Sequence, residues 1–301
     1  LISSPARVTR PAKKTPMGKS NGKIFGRDKD LDEVEIQKLA DGLYLGDQPL
    51  EAPRLVKTGW KAGQIFELAD DPDRMQSFRW EAPSFIERKD PMIQRQKTSV
   101  EELDVPKTGP THWARIVRGV FDEDDCAELI SCINRKGFTP ALLNIGGGRQ
   151  ALEPSARNGH RAIVESLEMS RWLLEVIRPY LPETFQRGTL IDLNERCRVL
   201  CYTPGQEFPS HYDGCFHRSA PDPRAGDRSM ITVQVYLHDV PAGSGGETTF
   251  MRERRGREEA AVSCQPCAGS VLIFTQNLLH EGSLLKKGLK YTLRTEAMYR
   301  M

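Results

Sequence analysis

The spacing of three potential metal ligands places the strongest constraint on how this chain can fold. His211 and Asp213 lie two residues apart, and His280 follows much later, each at the edge of a segment with strand-like sequence. Residues i and i+2 of an extended strand point to the same side, so one strand can present both His211 and Asp213 to a single ion. The fold must then bring His280 to them from a distant strand. Two imidazoles and one carboxylate arranged in this way bind one face of an Fe(II) ion and leave the opposite face open. The structural alternatives are core histidines and, for Asp213, a turn before Gly214.

Strand patterns dominate the chain from about residue 190 onward. A strand that includes Arg198 ends in a Pro204-Gly205 turn shortly before His211. Apolar and polar residues alternate over residues 231–237, which predicts another strand. The pair Gly245-Gly246 predicts a tight turn ahead of a further strand near residues 268–274.

Helices are predicted mainly before these strands. A short helix is expected over residues 31–40. Asp122 is the predicted N-cap of a second helix, whose apolar face repeats at helical spacing and which stops at Gly137. A third helix carries apolar residues from Met169 to Ile177 and ends at Pro179. Helices followed by strands predict an α+β fold: a double-stranded β-helix (jelly-roll, cupin-like) core with supporting helices.

Composition divides the chain into three parts. Residues 1–27 contain seven Lys and Arg, three Pro and no Asp or Glu, so residues 1–30 are predicted to be a disordered basic tail. Residues 31–110 are rich in Pro, Asp and Arg, with scattered aromatic residues. They are predicted to be an N-terminal extension that packs against another part of the protein, and no role is assigned to them. Residues 111–301 carry the ligand motif and are predicted to form the main domain.

Composition also limits the partners and the compartment. No apolar run approaches the roughly 18–20 residues of a membrane-spanning helix, so no membrane partner is expected. A formal net charge of +2 gives no support to a nucleic-acid partner, and none is expected. Seven cysteines, an odd number, predict reduced thiols and a cytoplasmic location, with organelle targeting by the basic N-terminus as the alternative. The pair Cys264-x-x-Cys267 has no second ligand pair for zinc, and a chance occurrence in a surface loop is predicted.

Further motifs occur in a fixed order around the three ligands. They are Tyr202-x-x-Gly205-x-x-Phe208-x-x-His211-x-Asp213, Tyr236-Leu237-x-Asp239-Val240, Gly245-Gly246-Glu247-Thr248, Gly269-x-x-Leu272-x-Phe274, His280 and Gly288-x-Lys290. Over residues 115–301 this set resembles the Fe(II)/2-oxoglutarate dioxygenases of the prolyl 4-hydroxylase type. The resemblance implies that His211, Asp213 and His280 are the metal-binding and catalytic residues, and that Tyr202 and Lys290 bind 2-oxoglutarate. It also implies Fe(II), 2-oxoglutarate and O₂ as cofactor and co-substrates, together with ascorbate.

The implied activity is hydroxylation of a C–H bond with release of succinate and CO₂. The implied substrate is a protein or peptide, hydroxylated at peptidyl-proline, and a free amino acid or small metabolite is an open alternative. A third alternative is an inactive, metal-binding cupin-like scaffold that acts as an interaction module. A nucleic-acid demethylase is disfavoured because its Arg-x-Asn-x-Thr-x-Arg pattern does not follow His280.

Two expectations concern the surroundings of the metal. Lys290, Thr292 and Arg294 alternate along one face of the last predicted strand, and a cation facing inward needs an anion. Lys290 is favoured as the anchor for 2-oxoglutarate by its spacing, and Arg294 is the alternative. The Pro-, Gly- and Arg-rich segment 214–229 is predicted to be a mobile flap that contacts substrate.

Overall fold

The structure is a computed structural model and describes residues 31–67, 81–107, 109, 111–254 and 256–301. The predicted basic tail of residues 1–30 lies outside the described residues. The α-helices are α1 (Glu33–Ala40), α2 (Phe85–Arg88), α3 (Pro91–Gln96), α4 (Glu123–Lys136) and α5 (Leu167–Ile177), the last continued by a 3₁₀ turn over Arg178–Tyr180. None of these described helices is long and apolar enough to span a membrane.

The rest of the described chain consists mainly of short strands. They are β1 (Tyr44–Leu45), β2 (Gln48–Pro49), β3 (Ile65–Glu67), β4 (Ser99–Leu103), β5 (Ala114–Arg118), β6 (Thr139–Pro140), β7 (Leu143–Gly146), β8 (Arg149–Ala151), β9 (His160–Glu165), β10 (Thr184–Phe185), β11 (Gly188–Leu193), β12 (Arg196–Tyr202), β13 (Phe208–His211), β14 (Arg228–Tyr236), β15 (Thr248–Arg254), β16 (Arg257–Cys264), β17 (Val271–Thr275), β18 (His280–Gly282) and β19 (Lys290–Arg300). The protein is therefore strand-rich with few helices, and the strands from β11 onward follow the predicted pattern.

Antiparallel pairing organises these strands into one large sheet and smaller ones. The main sheet has the order β4-β5-β17-β14-β19-β12-β9-β6, and β11 pairs with the far end of the long strand β19 and carries β10. A second sheet has the order β13-β18-β15-β16, and a third has the order β3-β8-β7. Strand β19 lies between β14 and β12, so its residues are central to the main sheet.

The main sheet has apolar side chains on both faces. One face packs with the helices in the largest core cluster, where Leu129 and Ile133 of α4 join Val199, Val233 and Leu293 of the strands. The other face packs on the second sheet, where Phe250 joins residues of β14 and β17. The last residue of β13 and the first residue of β18 meet in the interior between the two sheets.

Helix α4 shows why the capping residues in the sequence were sufficient to predict where this helix begins and ends. The Asp122 carboxylate accepts a hydrogen bond from the backbone N–H of Asp125, and the Asp125 carboxylate accepts one from the backbone N–H of Asp122, so two N–H groups at the start of the helix have partners. Gly137 ends the helix with a φ of 85°, a conformation that favours glycine. The predicted start and end of this helix are confirmed.

Residues after position 80 of the predicted extension pack into the same unit as the later strands. Phe85 is fully buried and makes edge-to-face contacts with Phe121 and Trp172, at ring distances of 5.7 and 5.4 Å. Strand β4 pairs with β5 along five residues and forms an edge of the main sheet. The described residues from Leu31 to Met301 accordingly form one compact unit. Phe85 of the predicted extension serves as core, whereas Trp60 and Phe66 are only half-buried.

Cys264 does not lie in a surface loop. It ends strand β16, is 4% exposed and belongs to the core between the two sheets. Only Cys267 lies in the following loop, half-buried. The predicted loop placement is therefore wrong for Cys264, because the run before it continues a strand that pairs with β15.

Candidate metal and co-substrate site

Strand pairing brings the three predicted ligands together. His211 is the last residue of β13 and His280 the first of β18, and the two residues are direct partners in the antiparallel register. The backbone N–H of Asp213 donates to the carbonyl of Gln276, which fixes the turn that follows His211. One possible ligand atom from each side chain lies within 4.8 Å of the others. Asp213 is 3.6 Å from His211 Nε2 through Oδ1 and 3.7 Å from His280 Nε2 through Oδ2.

Backbone carbonyls orient both imidazoles toward this common centre. Nδ1 of His211 lies 2.8 Å from the carbonyl oxygen of Pro209, and Nδ1 of His280 lies 2.9 Å from that of Leu278. A carbonyl oxygen only accepts hydrogen bonds, so each Nδ1 carries a proton, and the neutral form of each ring has its lone pair on Nε2. Metal-binding histidines usually donate the ring N–H that does not face the metal to an acceptor of this kind, which fixes the orientation of the ring.

The protonation states fit a divalent metal. Burial lowers the pKa of His280 to about 4, so its ring is neutral at pH 7. Burial alone would raise the pKa of Asp213, but Arg294 and the two histidines outweigh burial and hold that pKa well below its ordinary value. The neutral ring of His280 and the ionised carboxylate of Asp213, together with the imidazole of His211, form a donor set that suits non-haem Fe(II).

Two side chains contact the carboxylate of Asp213 and hold it in position. Thr232 donates its hydroxyl to Oδ2 at 2.6 Å, and Arg294 contacts Oδ1 at 2.8 Å. The same Arg294 lies 3.8 Å from Glu296, which in turn pairs with Arg198 at 2.6 Å. Arg294 therefore has carboxylate partners within the protein.

Lys290 has no such partner. Its side chain is buried, and no carboxylate in the described part of the chain lies within ion-pair distance of it. Burial lowers the pKa of Lys290 to about 8. Its Nζ lies 5.4 Å from the ring centre of Tyr202, its direct neighbour across strands β12 and β19. Thr292, on the same face of β19, has a buried hydroxyl without a hydrogen-bond partner among the described residues. Lys290 and Thr292 thus present an unused charge and an unused hydroxyl to one cavity.

The predicted Gly245-Gly246 turn supports this part of the site. Both glycines have positive φ angles, 77° and 76°. A Cβ on Gly245 would lie 1.9 Å from the carbonyl oxygen of Leu284, so no side chain fits there. A Cβ on Gly246 would lie 3.5 Å from Cδ of Lys290, which places this turn against the lysine stem.

One cavity joins the ligands to the cations. Its lining includes His211, Asp213, His280, Lys290, Arg294, Tyr202, Leu200, Thr292, Phe208, Gln234, Thr248, Glu281, Gly282 and Arg157. Every predicted site residue is in this set. Sequence reasoning assigned no role to Phe208, which stacks on His211 at a ring distance of 3.7 Å, or to Arg157. The alternation of β14 was the available signal for Thr232 and Gln234, whereas Arg157 precedes β9 with no pattern around it.

The segment after Asp213 is pinned to the domain. Arg218 is 2% exposed and contacts Asp192 at 2.9 Å and Glu195 at 2.7 Å. Arg224 contacts Glu195 and Asp222. Two of the three arginines that the flap hypothesis directed toward substrate are thus paired inside the protein. These ion pairs, with partners in and beside β11 and β12, do not support the predicted contact of Arg218 and Arg224 with substrate, and the mobility of the segment stays a prediction.

Comparison with known proteins gives one family match. Residues 197–295 match the profile of the 2OG-Fe(II) oxygenase superfamily, a stretch that contains all three metal-ligand candidates and Lys290. This match confirms the resemblance that the motifs predict. No curated protein matches the chain.

Solved structures also overlap with part of the chain. A viral collagen prolyl hydroxylase from Paramecium bursaria Chlorella virus-1, in complex with 2-oxoglutarate, has 22% identity and a TM-score of 0.42, covering 62% of this chain and 96% of the other. A Pseudomonas putida prolyl-4-hydroxylase has 19% identity and a TM-score of 0.37, covering 58% and 84%. A Trichoplax adhaerens prolyl hydroxylase, in complex with a hypoxia-inducible factor peptide, has 16% identity and a TM-score of 0.40, covering 53% and 70%.

Proposed function

We propose that this chain, a 2-oxoglutarate-dependent dioxygenase with its 2OG-Fe(II) oxygenase region at residues 197–295, hydroxylates a C–H bond of an amino-acid residue. Peptidyl-proline is the substrate that the motif resemblance implies. One observation carries the proposal: His211, Asp213 and His280 converge in the same cavity as a buried, unpaired Lys290. We further propose that the two packed sheets form the double-stranded β-helix of this superfamily.

His211, Asp213 and His280 would hold Fe(II), with the two Nε2 atoms and the carboxylate as ligands. When bound, Fe(II) supplies the O₂ chemistry that couples decarboxylation of 2-oxoglutarate, to succinate and CO₂, to hydroxylation of the substrate. Thr232 and Arg294 hold the Asp213 carboxylate in position, Thr232 through a hydrogen bond of 2.6 Å and Arg294 through an ion pair of 2.8 Å. Arg294 is in this interpretation a positioning residue.

Lys290 is the proposed anchor for the distal carboxylate of 2-oxoglutarate. A buried ammonium without a counter-ion is unfavourable, and a carboxylate ligand removes that cost. Thr292 offers a free hydroxyl to the same carboxylate, and Tyr202 closes the cavity beside Lys290. Arg294 is the weaker candidate because Asp213 and Glu296 already neutralise its charge.

The first test measures Fe(II) binding and 2-oxoglutarate consumption by the purified protein. We expect one Fe(II) per chain, and loss of both metal binding and turnover in His211→Ala and in His280→Ala. His217→Ala is the matched control, since His217 is exposed and lies only four residues from Asp213. Full turnover in either ligand variant would refute the assignment, and no turnover by the wild type would favour an inactive scaffold.

The second test separates the proposed substrates. Succinate release is measured with proline-containing peptides and with free amino acids. Each assay is run with and without ascorbate, because the requirement for ascorbate stays a prediction. Stimulation by a peptide supports the peptidyl substrate. Stimulation by free amino acids alone supports the small-molecule alternative.

A further inference from the structure

Arg157 is a second cation without a carboxylate partner in the cavity of the metal site. Its guanidinium lies 4.6 Å from the ring centre of Phe208, and that ring stacks on His211 at 3.7 Å. Its Nε is buried and has no hydrogen-bond partner, and no carboxylate of the described residues lies within ion-pair distance of the guanidinium. Burial lowers the pKa of Arg157 to about 10, which still leaves it charged at pH 7.

The protein around Arg157 does not neutralise it. The hydroxyl of the neighbouring Tyr202 does not compensate the charge, because burial raises the pKa of Tyr202 and keeps that hydroxyl neutral at pH 7. The charged neighbours of Arg157 include Arg161, Arg198 and Arg294, which add positive charge rather than compensate it. A half-buried guanidinium in such surroundings is stabilised by a ligand that supplies an anion.

Bound metal and co-substrate do not match this charge either. Fe(II) carries two positive charges and 2-oxoglutarate two negative ones, so together they leave the charge balance of the cavity unchanged. The distal carboxylate of 2-oxoglutarate is assigned to Lys290, and Arg294 is paired with Asp213. Arg157 therefore stays unmatched in the complex that is ready to receive substrate.

We propose that Arg157 binds a carboxylate of the substrate, so that this enzyme acts on a carboxylate-bearing amino-acid substrate. This inference rests on the proposed function. A guanidinium binds a carboxylate through two parallel hydrogen bonds, and the ring of Phe208, 4.6 Å away, holds this guanidinium beside the metal site. One aromatic ring separates Arg157 from His211, a gap that one or two residues of roughly 3.5 Å each can bridge. The carboxylate accordingly lies on the hydroxylated residue or on the one beside it.

Binding of matched acids and amides tests this directly. The protein is loaded with 2-oxoglutarate and Mn(II), which replaces Fe(II) so that no turnover occurs, and dissociation constants are measured by calorimetry. The probes are L-proline against prolinamide, acetyl-glycyl-proline against its amide, and acetyl-aspartyl-prolinamide against acetyl-asparaginyl-prolinamide. These pairs separate a free amino acid, a C-terminal carboxylate and an acidic side chain as the source of the charge.

We expect at least one acid to bind about tenfold or more tightly than its amide, since a charge-assisted pair is worth that much. Arg157→Gln should bring each acid and its amide within about twofold, and Arg157→Lys should keep part of the preference because it keeps the charge. Arg118→Gln is the control, since Arg118 pairs with Glu101 at the edge of the main sheet and should leave the preference intact.

Three results would overturn the inference. Acid and amide could bind equally in the wild type, or none of the acids could bind. Arg157→Gln could weaken 2-oxoglutarate binding and leave the preference for acids unchanged, which would assign Arg157 to the co-substrate. The affinity of the wild type for 2-oxoglutarate is measured first: if it is absent, the proposed function fails and this inference with it, whereas normal 2-oxoglutarate binding without acid preference refutes this inference alone.

Discussion

Replacing Lys290 by methionine tests the co-substrate site most sharply. Methionine keeps a long unbranched side chain and removes the ammonium group, so packing against Gly246 and Tyr202 changes little. The structure predicts opposite effects on stability and on binding. Without 2-oxoglutarate the variant should be more stable than the wild type, and with it the advantage should disappear.

The size of both effects can be derived from the structure. Burial lowers the pKa of Lys290 from 10.5 to about 8, and at roughly 1.4 kcal/mol per unit the charged form costs about 3 kcal/mol. Removing the charge should therefore raise the Tm of the ligand-free protein by up to roughly 6 °C. The lost charge-assisted hydrogen bond, about 1.5–3 kcal/mol, should weaken 2-oxoglutarate binding about tenfold to a hundredfold.

Thermal unfolding with and without 2-oxoglutarate, in the presence of Mn(II), measures both effects in one assay. Lys287→Met is the control, because Lys287 is exposed and lies three residues from Lys290. Normal 2-oxoglutarate affinity in Lys290→Met would refute the anchor. If Arg294→Met weakened 2-oxoglutarate binding instead, Arg294 would be the anchor. Its ion pair with Asp213 would then not prevent it from binding the co-substrate.

Three further outcomes follow from the contacts of the site. Burial depresses the pKa of Lys290 to about 8, so Lys290 is charged below that pH and neutral above it, and the affinity for 2-oxoglutarate should fall as the pH rises through about 8. Calorimetry in buffers of different ionisation enthalpy should detect proton uptake on binding near this pH. An affinity that stays constant up to pH 9 contradicts this. Thr232→Val removes the hydrogen bond to Asp213 and should weaken Fe(II) binding about tenfold in a competition with a chelator, whereas unchanged affinity would make Thr232 a packing residue only. Arg218→Met leaves Asp192 and Glu195 without their buried partner and should lower the free energy of unfolding in urea by up to roughly 3 kcal/mol; an unchanged midpoint would show that these ion pairs do not stabilise the segment after Asp213.

Local chemistry explains what the sequence predicted well. The ends of α4 depend on Asp122 and Gly137, whose capping preferences act within one turn of the helix. The pairing of His211 and Asp213 depends on the two-residue period of an extended chain. Their meeting with His280 was predicted because a facial metal site needs three ligands at a common centre, and the register between β13 and β18 supplies the third.

Contacts between distant segments explain what the sequence could not predict. The segment 214–229 has the composition of a mobile loop, but the partners of Arg218 lie in and after β11, more than twenty residues earlier. Arg157 lies before β9, and only the pairing of β9 with β12 brings it beside Tyr202. Neither a periodic pattern nor a helix-capping residue in the sequence predicts either contact. Helices α2 and α3 are four and six residues long, too short for an amphipathic pattern to reveal.

Pairing within the protein decides which cation is available to a ligand. Lys290, Thr292 and Arg294 share one face of β19, yet Arg294 contacts a carboxylate of the protein and Lys290 does not. A paired cation can position another side chain, and an unpaired buried cation requires a ligand that supplies an anion. If Lys290 were the sole unmatched charge, 2-oxoglutarate alone would complete the site. Arg157 adds a second unmatched charge on the other side of Phe208, and in the proposed complex Lys290 would bind the distal carboxylate of the co-substrate while the metal would bind its keto-acid end. The charge must then come from the molecule that is hydroxylated, so this site selects its substrate by charge as well as by the C–H bond that it presents.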